Sequence, residues 1–240
     1  MITRIDAATA ASSGAVSSQA VTIPATAQDG DLLILAAAIT ATAAYDALDG
    51  WTAVADFGVP SAACRVGVWY RVAEGGDASS SVEPALSSGT GCAAAQVIVY
   101  RGVDQTTPMD TTPVAADSGG AAETTPAAPA ITTATAGALI VAVMAVPTQG
   151  GTVLTAADWT DPAGADDELV TCSTDAVANN ACVSTYAAAA PTAGAYGPYQ
   201  ATITQSRRWG AVTLALREEQ DTPPPAGGGI GGWGWIPAGP

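Results

Sequence analysis

The chain has 240 residues, a net charge of −15 and a pI near 4.1. All seven basic residues are Arg, and no residue is His. Without a basic patch, binding to nucleic-acid phosphates or to an anionic membrane surface has no electrostatic footing. Without His, the commonest general base, transition-metal ligand and pH switch are missing, and so is every triad that needs an imidazole.

Hydrophobic residues make up 48% of the chain but include one Phe, Phe57, so a core must come from Val, Ile, Leu, Ala and Trp. Met1–Arg4 does not begin a charged-then-apolar leader. The longest apolar runs, Leu32–Ile39 and Ala138–Val146, are each about half a membrane span. The expectation is a soluble protein made in the cytoplasm without a signal peptide.

Apolar spacing of three and four residues beside a charged face, the mark of an amphipathic helix, is missing, and Thr, Val, Gly, Pro and Ser favour strands and turns. Leu32–Ile39 reads as a strand buried on both faces. In Arg65–Val72, Val66, Val68, Tyr70 and Val72 alternate with Arg65, Gly67, Trp69 and Arg71; this predicts one face in the core and one toward solvent or a partner. Ala93–Arg101 is a third strand, stopped at Gly102.

These landmarks recur. Gly30-Asp31-Leu32-Leu33-Ile34, Gly50-Trp51-Thr52, Val68-Trp69-Tyr70 and Val97–Arg101 are followed by Gly137–Val141, Asp158-Trp159-Thr160, Val183–Tyr186 and Val212–Arg217. Tyr70 to Arg101 and Tyr186 to Arg217 both span 31 residues. Order and spacing point to an internal repeat. The expected fold is an all-β antiparallel sandwich, jelly-roll-like, built from two sequence-similar units with an extended C-terminal tail. The units are 1–104 and 105–219, which could pack together as one sandwich, and the tail is 220–240. Leu33, Leu35, Val66, Val68, Tyr70, Val97, Val99, Leu139, Val141, Val143, Val212, Leu214 and Leu216 are the expected core.

The chain changes character past Glu219. Pro223-Pro224-Pro225 is a stiff spacer, glycines follow, and Trp233, Trp235 and Ile236 are large apolar groups that need a cover. Pro223, Pro224, Pro225, Trp233, Trp235 and Ile236 are therefore the candidate partner-docking residues, with a fold-back onto the protein's own sheet edge as the other possibility.

No catalytic, cofactor-binding or metal-ligating residue is assigned, and no cofactor is expected. Asp158, Asp161, Asp166, Asp167 and Glu168 are dense, but the stretch lacks the pattern of a calcium loop and reads as solvated. Asp46, Asp49 and Asp56 flank Trp51 without making a glycosidase of it, because Trp159 holds the same place in the second unit. Gly75-Gly76-Asp77 and Gly119-Gly120 are turn signals without a following helix. Arg207-Arg208 reads as an inter-strand or inter-subunit ion pair. Cys64, Cys92, Cys172 and Cys182 lack metal spacing. Cys172 and Cys182 could bridge a loop, but four buried thiols are the expectation for a chain without a leader.

The segments Gly30–Ile34, Gly50–Thr52, Val68–Ala73 and Val99–Asp104 resemble those of duplicated β-sandwich virion proteins of tailed bacteriophages of high-GC Gram-positive hosts, and a weaker second pass runs through Arg217. The resemblance implies a non-enzymatic minor tail or capsid decoration protein. Its partners would be other virion proteins, capsid or tail subunits, with further copies of itself in the particle and neither nucleic acid nor membrane among them. A carbohydrate-binding or adhesin module, with Trp51 or Trp69 as sugar platforms, is the alternative.

Overall fold

The computed structural model describes residues 1–149, 153–173 and 179–220. The first half runs β1 (Thr3–Ala11), β2 (Val21–Thr22), β3 (Leu32–Ile39), β4 (Thr52–Gly58), β5 (Arg65–Val72), β6 (Ser81–Val82) and β7 (Ala93–Arg101). The second half runs β8 (Val114–Asp117), β9 (Ala127–Ala128), β10 (Ile131–Thr133), β11 (Ala138–Gln149), a 3₁₀ turn at Ala156–Asp158, β12 (Trp159–Thr160), β13 (Asp166–Cys172), β14 (Asn179–Ala190), β15 (Gly194–Tyr196), β16 (Tyr199–Gln200), β17 (Thr202–Ile203) and β18 (Gly210–Leu216).

Two five-stranded antiparallel sheets result, ordered β1-β7-β3-β5-β4 and β8-β18-β11-β14-β13. Counted along the chain within each sheet, both orders read first, fifth, second, fourth, third. Each half of the chain completes its own sheet, so the path does not cross between sheets as a jelly roll's does. The sheets pack face to face over one core that takes Ile34, Val66, Val68 and Ile98 from the first sheet and Val141, Val143, Val212 and Leu214 from the second. This is the sandwich expected from the alternation, with Tyr70 and Leu139 half-buried at its margin.

Gln96 on β7 crosses this core. Its amide nitrogen lies 2.9 Å from the carbonyls of Leu169 and Val183 and 3.0 Å from the Thr171 hydroxyl, sharing its two N–H groups among them; its oxygen accepts from the Thr185 hydroxyl at 2.7 Å. Gln96 is fully buried, so these bonds satisfy its own amide away from water and give the Thr185 hydroxyl an acceptor.

The outer face of the first sheet is not open to solvent, which corrects the reading of β5. Trp69 is 3% exposed. It packs edge-on against Tyr45, with ring centroids 5.1 Å apart, beneath Val21, Val82 and Leu86 from the connecting segments. Those apolar residues lie outside the long strands, where period-two alternation carries no information about them. A Cβ at position 67 would overlap the Trp69 ring, so Gly67 is what lets the indole lie back across β5. The second sheet is covered likewise. Leu154, Trp159, Tyr199, Ile203 and Trp209 close over Ile140, Met144 and Tyr186.

The expectation of four buried thiols is also corrected. The β13–β14 register sets Cys172 opposite Cys182, and the two form a disulfide. Cys64 and Cys92 are buried outside it, and burial pushes the Cys64 thiol up to about 12. Arg101 and Arg217 close the sheet ends. Arg101 grips Asp31 through Nε and Nη2, both at 2.8 Å, while Arg217 lies 3.5 Å from Asp110.

Candidate functional site

The docking residues Pro223, Pro224, Pro225, Trp233, Trp235 and Ile236 lie outside the described residues. What the fold does show is where the chain leaves the sandwich. After β18 it crosses to the end of the first unit, where Glu218 bridges to Val103 and the Glu219 N–H donates to the Gly102 carbonyl at 2.8 Å. Gly102 has φ +82, and a Cβ there would crowd the Met1 carbonyl. Glycine is therefore required for the N-terminal and C-terminal segments to meet at this corner. Beside it, Ile2, Leu139, Ala189 and Pro191 line an open, mostly apolar groove of about 330 Å3 with Glu218 at its rim.

The side chains read as sugar platforms are used internally. Trp69 is buried, and Trp51 is half-buried against the outer core of the first sheet. Asp56 is not one of a facing carboxylate pair, because Arg65 Nε holds it at 2.5 Å. Asp77 accepts the Glu74 N–H at 2.8 Å and lies 3.1 Å from Arg71, which makes Gly75–Asp77 a latched turn.

The acidic stretch is partly structural. Asp158 accepts from the Thr204 hydroxyl at 2.7 Å and from the Thr155 N–H and hydroxyl, both at 2.8 Å, and these bonds hold its carboxyl below the usual range. They tie the 3₁₀ turn to β17. Asp161 is exposed, and the side chains at 166–168 lie outside the described residues. Among the described residues no three His, Cys, Asp or Glu side chains gather closely enough to hold a metal ion.

The Arg207-Arg208 pair lies at the seam between the halves. The Arg207 backbone exchanges two 2.8 Å bonds with Glu123, while the Glu123 carboxylate accepts from the Trp209 indole at 2.9 Å. Arg208 Nε donates to the Gly120 carbonyl at 2.8 Å. The inter-strand ion pair expected here is not what Arg208 makes. Alternation and repeat spacing could not have found this seam, since it brings the β4–β5 turn against the turn after β8.

Among the described residues no helix is long and apolar enough to cross a membrane. No protein-family model, no curated protein and no solved structure matches the chain.

Proposed function

We propose that the chain is a non-enzymatic structural protein of a bacteriophage particle, a minor tail or capsid decoration protein, which binds the particle lattice through its C-terminal segment. The observation that carries this reading is how the apolar residues are distributed. In the described body the large apolar side chains are spent in three cores, and only Met1 and Val114 stand exposed. The concentrated apolar groups left over, Trp233, Trp235 and Ile236, belong to 222–240, a stretch with no charged side chain. An uncharged, Trp-bearing segment adds no like charge to the −15 of the body. Buried Trp anchors are typical hot spots, each costing about 2 kcal/mol or more when truncated. The resemblance of the sandwich segments to virion proteins supports the same reading.

The experiment is deletion of 222–240 followed by particle assembly. A truncated protein that folds with an unchanged melting temperature and is missing from purified particles supports tail docking. Normal incorporation overturns it. If truncation instead lowers the melting temperature, the segment covers its own body, and the groove beside Glu218 is where it would lie.

A further inference from the structure

We infer that the seam cleft beside Arg208 is a binding site for a carboxylate on a short alkyl stem, the chemistry of a glutamate side chain offered by a partner protein. The charge census sets the problem. The chain has 22 acidic residues against seven Arg. Arg65, Arg71, Arg101 and Arg217 each pair with carboxylates of their own fold. Arg208 makes no ion pair among the described residues, although acids outnumber arginines threefold. Among the described residues its one side-chain bond goes from Nε to the Gly120 carbonyl at 2.8 Å.

That bond is built into the fold. Gly119 and Gly120 have φ +61 and +86, and a Cβ on Gly120 would lie 3.2 Å from Ser61 Oγ. The turn after β8 is thus pressed against the β4–β5 turn, and its carbonyl anchors the guanidinium on one side. With Nε committed, the two Nη groups, which bond to none of the described residues, are left to face a ligand. A guanidinium presenting two parallel N–H groups matches the two oxygens of a carboxylate.

The cleft itself is small and two-natured. It is half open and holds about 110 Å3; Ala62, Ala122 and Pro147 form apolar walls, the smaller part of its lining, while Ser206, Arg207 and Arg208 supply the larger, polar part. The walls suit an alkyl stem and the arginine end suits its anion. Glu123, whose backbone pairs with that of Arg207, is already engaged as acceptor of the Trp209 indole. A polyanion is the wrong ligand, because the field of a −15 protein repels it. One carboxylate on a neutral stem meets far less of that field. This site stands apart from the C-terminal segment and does not depend on the virion reading.

The test is a titration of the full chain with propionate, followed by NMR at the Arg208 side-chain N–H groups and the Ala122 and Ser206 amides. Propionamide and sodium chloride at matched ionic strength are the controls. The expected result is a saturable millimolar shift with propionate and none with either control. Arg208→Gln, shown by its melting temperature to be folded, should weaken binding about tenfold or more. The inference is overturned by a propionate shift that does not saturate, by one that survives in Arg208→Gln, or by tighter binding of inorganic phosphate.

Discussion

Asp110 is 5% exposed and still ionised, because the fold supplies what water would have. Burial opposes its charge. Donation from the Thr135 hydroxyl at 2.6 Å, from the Ala134 N–H at 2.6 Å and from the Thr135 N–H, with Arg217 nearby, outweighs burial and holds the carboxyl below its usual range. Asp158 and Asp104 are lowered in the same direction, Asp104 by the N–H groups of Thr107 and Thr106. A carboxylate whose folded pKa is depressed adds stability above its unfolded pKa, and that stability is lost as pH falls through the folded value. The melting temperature should therefore fall on acidification below about pH 4, the unfolded carboxylate range. Asp110→Asn should cost about 1–3 kcal/mol at neutral pH and make the acid limb shallower; a mutant profile parallel to wild type would refute the assignment. Asp110 falls near the start of the second unit, 105–219, but nothing in its sequence neighbourhood shows its role. Its donors lie 24 and 25 residues away, and no spacing rule joins them. The Arg101–Asp31 clamp was equally hidden, although both residues stand at repeat landmarks.

At the scale of elements, the long strands were legible and their covers were not. Leu32–Ile39 and Arg65–Val72 match β3 and β5 residue for residue, because runs of Val, Leu and Ile in a pleated chain admit few other readings. The outer layers are made of two- and three-residue strands and single apolar residues in loops, too short for any period to register. Register decided the disulfide as well. Cys172 and Cys182 face each other only because β13 shifts register between Asp166 and Leu169 on its way along β14. A bridge across ten residues stabilises by about 2–3 kcal/mol, chiefly by restricting the unfolded chain. Reduction, or the Cys172→Ser/Cys182→Ser double variant, should lower the denaturation midpoint accordingly. An unchanged midpoint would show that the bridge does not form in solution. Cys64 should resist alkylation in the native protein and react once it unfolds, as its burial and raised pKa require.

For the whole molecule, the shared core decides whether the two halves of the chain fold separately or as one. Were residues 1–104 alone, Ile34, Val66, Val68, Ile98 and Tyr100 would lose the face that covers them, and Leu32 would lose part of it. Each such side chain is worth about 1.5–3 kcal/mol when fully buried. Exposing a set this size costs about as much as the 5–15 kcal/mol that holds a typical domain folded. The second half is in the same position through Val141, Val143, Val212 and Leu214, and it also loses Gln96 as donor to the Leu169 and Val183 carbonyls. The outer layers do not compensate, since each covers only the opposite face of its own sheet. The expected outcome is that fragments 1–104 and 105–240 each fail to give a dispersed NMR spectrum alone and recover it when coexpressed. The intact chain should then unfold in a single transition by both calorimetry and Trp fluorescence. Gln96→Leu tests the same coupling at one point. It fills the space but leaves the buried Thr185 hydroxyl without its acceptor and removes the Gln96 bonds to β13 and β14, and should cost about 1–3 kcal/mol without splitting the transition. If either fragment folds by itself, or if calorimetry resolves two transitions, each sheet with its outer layer is a domain in its own right and the face between the sheets is only an interface.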